Sequence, residues 1–229
     1  MITRTTKKIV DLFDQSVMKG RLKFLLVSLI ALILAYPYLT EGAFETTILN
    51  IVFSLILLTG LYVVSYDKSH FFVGLVLALP ALGTNWLSFS ISRSNVLSHI
   101  SAIIFYVYTI VTLVNYLLKA KEITSDVLFG AISTYLLIGI AFASVFSLVE
   151  IVHPNSFNIP SSTSGSTFWD ELFYFSFVTI TTSGYGDIVP VSPQARSLSV
   201  LEAVIGQMFL AIFISRLVGM YIYQKTNKN

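Results

Sequence analysis

Cysteine is absent from this chain, so no disulfide, zinc–thiolate site or iron–sulfur cluster can form. Charge is scarce. Asp, Glu, Lys and Arg make up 11% of the 229 residues, against about 25% in a typical soluble domain. Histidine occurs only as His70, His99 and His153, scattered and without metal-ligand spacing. No clustered acid, base and nucleophile stands out, so we expect no enzyme and no cofactor. Between Arg93 and Lys119 there is no lysine or arginine at all. The formal net charge of +2 says little by itself; its distribution matters, and we expect no nucleic-acid partner.

Apolar residues are what the chain has in abundance, at 55%, with a mean hydropathy of +0.80. Runs of about 20 apolar residues can cross a bilayer as helices. We read six: Leu22–Leu39, Thr47–Tyr66, Phe71–Phe89, Val96–Leu118, Val127–Val149 and Leu198–Tyr223. A seventh segment, Phe168–Thr181, is too short to span and fits a re-entrant helix. Arg4, Lys7, Lys8, Lys19, Arg21, Lys23, Lys68, Lys119, Lys121, Arg216, Lys225 and Lys228 then share one side of the membrane. Only Arg93 and Arg196 lie opposite. That bias predicts a multi-pass protein of the cell (inner) membrane with both termini cytoplasmic. A basic region precedes the first apolar run as in a signal peptide. Tyr36-Pro37-Tyr38 occupies the place of a cleavage site, so we read a retained helix.

Residues 1–21 form a basic lead. Ile9, Leu12, Phe13 and Val17 fall on one helical face. The lead is either a helix lying on anionic lipid or an ordinary solvated approach to the membrane. His153–Thr167 is rich in Ser, Pro, Asn and Gly and reads as an exposed loop. About six residues follow the last apolar run, so we expect no cytoplasmic sensing domain there.

The run Thr181-Thr182-Ser183-Gly184-Tyr185-Gly186-Asp187 follows the short aromatic segment and precedes the last long apolar one. Glycine relieves the steric bar on positive φ, so successive carbonyls can be aimed the same way. Thr182-Ser183-Gly184-Tyr185-Gly186 resembles the selectivity filter of the potassium-channel family, with Ser183 in place of valine. The resemblance covers residues 125 to 225 or so. It implies an all-α membrane protein with six transmembrane helices, a re-entrant pore helix and a tetrameric pore. By it, residues 22–121 are a four-helix voltage-sensor-like domain and 122–229 the pore domain. The backbone carbonyls of Thr182, Ser183, Gly184 and Tyr185 would hold dehydrated K+, and Gly186 would complete the filter. One filter per chain implies a homotetramer, in contact with lipid and K+.

Further roles follow from the same resemblance. Tyr174 matches the position whose side chain bonds the aspartate behind the filter, here Asp187, with Thr181 as a further support. Tyrosine stands where the family usually has tryptophan. Trp169, Phe173, Phe175 and Phe177 are either packing around the filter or ordinary core and interface residues. Gly206 matches a gating hinge; close helix packing is the alternative. Gln207, Leu210, Ile214 and Val218 match cavity- and gate-lining positions. Glu202, ionisable within a membrane helix, requires a partner; Arg196 lies too far along the helix, and a hydroxyl or backbone group behind the filter is expected. The Ser183 side chain should turn toward the pore helix, where its hydroxyl needs a partner. His99 reads as an interface histidine. The uncharged fourth helix predicts little voltage dependence, since each charge crossing the field gains only about 2.3 kcal/mol per 100 mV. A weakly selective cation channel and an ion-translocating subunit of a potassium transporter are the alternatives.

Overall fold

The computed structural model describes residues 20–38, 43–65, 68–87, 96–120, 122–159 and 168–226. The basic lead, apart from Gly20 and Arg21, and residues 160–167 of the exposed loop lie outside them. Among the described residues seven helices follow in order: α1 Leu22–Ala35, α2 Ala43–Val64, α3 Lys68–Leu87, α4 Val96–Lys119, α5 Ser125–Val152, α6 Phe168–Ile180 and α7 Pro193–Thr226. A 3₁₀ turn, Tyr36–Tyr38, extends α1.

By length and composition, the apolar windows of α2, α4, α5 and α7 suffice to cross a membrane. The first and third expected spans are shorter apolar helices, Leu22–Ala35 and His70–Gly83. Fourteen residues in α1 reach about 21 Å, short of a hydrocarbon core of about 30 Å. Pro37 and Tyr38 turn the chain there, and Pro80 sits inside α3. The chain is thus a mostly helical, multi-pass membrane protein.

The expected exposed loop is not wholly irregular. Phe157–Asn158 (β1) pairs antiparallel with Val189–Pro190 (β2), Phe157 opposite Pro190. The Ser156 carbonyl accepts from Val191 N–H at 2.8 Å and from Ser192 N–H at 3.2 Å. Both Glu150 carboxylate oxygens bind the loop backbone: Asn155 N–H at 2.7 Å, Ser156 N–H at 2.9 Å and Phe157 N–H at 3.1 Å. A carboxylate at the end of α5 therefore anchors the segment that braces the exit from the glycine motif.

Helix α5 is central. It packs on α1, α4, α6 and α7. Thr124 caps its N-terminus, its hydroxyl accepting from Val127 N–H at 3.3 Å. One hydrophobic core runs through α1 (Leu22, Leu25, Leu29), α4 (Phe105, Leu113), α5 (Leu137, Ile140) and α6 (Phe173). The first four helices thus share a core with the region that carries the motif. Arg21 fastens α1 to the end of α2: its guanidinium donates to the carbonyls of Tyr62 and Ser65 and lies 4.4 Å from the Tyr62 ring. At the same end of the molecule, Arg216 of α7 donates to the carbonyls of Leu118 and Ala120.

Candidate functional site: the turn after α6

Helix α6 starts with Asp170 and Glu171, which suit the positive end of its dipole. Its aromatic side chains do not all turn toward the glycine motif. Phe173 lies 4.7 Å from Tyr36 and Trp169 4.8 Å from Phe53, ring centre to ring centre. Phe175 joins Phe146 and Phe157 in a second core. Trp169, Phe173 and Phe175 thus take the core alternative. Tyr174 reaches the motif, its hydroxyl donating to Asp187 Oδ2 at 2.7 Å. That bond holds the Asp187 carboxyl below its usual range and pushes the Tyr174 phenol up to about 12.

The end of α6 is a Schellman cap. Ser183 N–H reaches back to the Val178 carbonyl at 3.0 Å, and Thr182 N–H to the Thr179 carbonyl at 2.9 Å. The cap puts Thr182, φ +58°, where glycine is usual. A β-branched residue there is a true outlier, costing of order 1–3 kcal/mol. The other late carbonyls are also occupied. Phe177 O accepts from the Thr181 hydroxyl at 2.6 Å, and Ile180 O from the Tyr135 hydroxyl at 3.1 Å. The path of the backbone leaving α6 is therefore strongly determined.

Beyond the cap, Gly184 and Gly186 have φ +58° and +79°. Positive φ thus recurs at residues 182, 184 and 186 and is absent at Ser183 and Tyr185. No neighbour lies within 4 Å of a Cβ built on either glycine, so conformation, not crowding, requires glycine there. Positive φ at every second residue lets successive carbonyls be aimed to one side. Residues 181 to 187 are all exposed in the single chain, Tyr185 at 73%.

Two hydroxyl contacts in the motif involve side chains. Thr181 and Ser183 hydroxyls lie 3.0 Å apart, which gives Ser183 the partner it requires. Gln207 Nε2 of α7 donates to Thr182 Oγ1 at 3.2 Å, joining two residues that the sequence reading assigned separately. Ile214 and Val218 follow Gln207 at helical spacing and are exposed, while Leu210, partly buried, lies one turn from both Gly206 and Phe213 of the buried stripe. Gly206 lies on the end of α6: a Cβ there would come within 2.6 Å of Ile180 Cγ1 and 2.7 Å of its carbonyl oxygen. The contact is close packing between α6 and α7, the second of the two expectations for this residue. Glu202, one turn earlier, is fully buried against Ser176. Among the described residues no group of three or more His, Asp or Glu is placed to hold a metal.

Residues 132–223 match the family described as "Ion channel". The inward rectifier potassium channel Kirbac3.1 of Paramagnetospirillum magnetotacticum is 32% identical over 82 residues, 36% of this chain and 24% of that protein. The potassium voltage-gated channel protein shk-1 of Caenorhabditis elegans is 34% identical over 93 residues, 39% of this chain and 16% of that one. Two-pore potassium channel 4 of Arabidopsis thaliana is 41% identical over 59 residues, 26% of this chain and 20% of that protein. The matched stretches span about a quarter or less of these relatives' lengths. No solved structure matches. The fold has helices long and apolar enough to cross a membrane, and residues 132–223 are similar to an ion-channel domain. Each of these relatives is named a potassium channel, and this chain is similar to a part of each.

Proposed function

We propose that the chain forms a homotetrameric, potassium-selective channel that conducts passively through a carbonyl-lined filter, Thr182 to Gly186. The observation that carries this reading is the recurrence of positive φ at Thr182, Gly184 and Gly186. Carbonyls of Thr182, Ser183, Gly184 and Tyr185 would replace the hydration shell of K+, and ions in adjacent sites would displace one another. The negative end of the α6 dipole favours a cation at the inner mouth. Gln207, Leu210, Ile214 and Val218 would line the cavity and gate below it. Tyr174, Asp187 and Thr181 would support the filter from behind.

Four chains are needed because one such turn can supply only one wall of a pore. The burial of α7 supports this. Only 17% of its apolar window is buried within the chain, against 56% for α5. Val200, Met208, Ile214 and Val218 remain more than half exposed. Neighbouring copies and lipid would cover these faces. In this reading six helices span, α1 and α3 included, both termini are cytoplasmic in the cell (inner) membrane, and residues 22–121 resemble a voltage sensor without its charges.

Ion flux into proteoliposomes tests the proposal. Wild type should admit K+ and exclude Na+. Gly184→Ala places a Cβ on a left-handed residue and should abolish K+ flux while leaving the protein folded, as read by circular dichroism. A Gly184→Ala variant with wild-type flux would refute the filter assignment.

A further inference from the structure

Glu202 is fully buried within a single chain, so neither water, lipid nor a second copy reaches it without movement. Its two faces differ. Oε1 meets the Ser176 hydroxyl of α6, and Oε2 has no partner. Ser176 Oγ in turn lies 2.7 Å from the Gly139 carbonyl of α5. From α5 the titratable group facing Glu202 is Tyr135, whose hydroxyl is already given to Ile180 O. β2 (Val189–Pro190) brings no titratable group. Arg196, earlier on α7, donates to the Pro190 carbonyl instead. Among the described residues no lysine or arginine bonds to either Glu202 oxygen.

Counting protons decides the ionisation state. The Ser176 hydroxyl has one proton but two oxygen neighbours at hydrogen-bonding distance. Gly139 O can only accept. If Ser176 gave its proton to a Glu202 carboxylate, its oxygen would face the Gly139 carbonyl at 2.7 Å with no hydrogen between them. If Ser176 donates to Gly139, Glu202 must donate to Ser176, which requires a carboxylic acid. The neutral acid also leaves Oε2 as an uncharged, unpaired oxygen, far less costly to bury than a charged one.

We propose that Glu202 is held as the neutral acid and that the relay Glu202–Ser176–Gly139 ties α7 through α6 to α5 behind the glycine motif. Glu202 is a positioning residue in this scheme. Its place explains what it positions. Glu202 and Gly206 are one turn apart on α7, and they face Ser176 and Ile180, one turn apart on α6. The relay therefore fixes the height of α7 against the helix end from which residues 182 to 186 emerge. The protonation state stands on the geometry alone; the effect on conduction rests on the channel reading above.

Infrared spectroscopy of the purified protein in bilayers reads the proton directly, whether or not the chain conducts. Subtracting the Glu202→Gln spectrum from wild type at neutral pH should reveal one carboxylic-acid C=O band. Loss of carboxylate stretching bands alone would overturn the assignment. In Ser176→Ala, whose acid loses its acceptor, the same band should move to higher frequency; an unmoved band would overturn the pairing. For the positioning role, Glu202→Gln keeps an N–H donor of the same reach and should retain K+ flux within about twofold, since the hydrogen bond is replaced and not lost. Glu202→Ala and Glu202→Asp should lose at least tenfold. Equal losses in Glu202→Gln and Glu202→Ala, with the acid band present in wild type, would leave the proton in place and reject the relay.

Discussion

The Thr181 hydroxyl has one proton, and the Phe177 carbonyl at 2.6 Å takes it. Ser183, 3.0 Å away, must therefore be the donor in the Thr181–Ser183 pair. The pair supplies the partner that the Ser183 hydroxyl needs. Ser183→Val removes a donor worth about 1 kcal/mol, so we predict roughly fivefold faster current decay at low external K+, with selectivity retained. Ser183→Thr, which keeps the hydroxyl, should decay like wild type, and the comparison of decay rates across external K+ checks both. The Tyr174–Asp187 bond gives a pH dependence of definite sign. Asp187 is lowered in the fold, so its contribution is complete above the unfolded carboxylate value, about 4, and fades only as pH falls through the lower folded value. The Tyr174 phenol, raised to about 12, holds its contribution below the unfolded value, about 10, and loses it as pH climbs through 12. Tyr174→Phe should therefore move acid inactivation from external solution to higher pH, as measured by current against external pH. An unchanged acid limb would show that the bond does not support the conducting form.

At the scale of elements, the end of α6 is where most constraints meet: the Schellman cap, the Tyr135 hydroxyl on Ile180 O, and Gly206 against Ile180. Gly206→Ala forces a Cβ into the Ile180 carbonyl, so the end of α6 must shift. We expect at least a tenfold loss of K+ flux with the tetramer intact, rather than the altered opening with normal flux expected of a free hinge. Single-channel recording separates the two, since reduced unit conductance belongs to the first and changed open time alone to the second. The helices themselves are legible in the sequence, because long apolar runs bounded by Pro, Gly and charge leave little choice. The glycine motif is legible because glycine takes the positive φ at residues 184 and 186 without the strain a side chain would add. Contacts between elements are not. The pairing of β1 with β2, the Gln207–Thr182 bond and the turn of Trp169 and Phe173 into the core depend on how distant segments are brought together, and no local pattern encodes that. Glu202 lies between: its need for a partner is evident from burial in an apolar run, but Ser176 is identified only once α6 lies on α7.

For the whole molecule, the stretch from Val96 to Leu118 in α4 holds no Asp, Glu, Lys or Arg, so this helix brings no such charge to move in an electric field. Open probability should therefore vary shallowly with voltage; a steep sigmoidal activation curve would refute that. Arg216 couples α7 to the carbonyls at the end of α4, so Arg216→Ala should shift open probability without giving it voltage dependence. The exposed apolar faces of α7 require partners, and mass measurement in detergent should find four chains. The central claim is that alternating backbone handedness at Thr182, Gly184 and Gly186 builds a filter for K+. The reversal potential of the purified protein in a planar bilayer, with K+ on one side and Na+ on the other, tests it most directly. The account predicts a reversal potential far from zero that follows the K+ gradient. A reversal potential near zero, with the two ions carrying equal current, would contradict it.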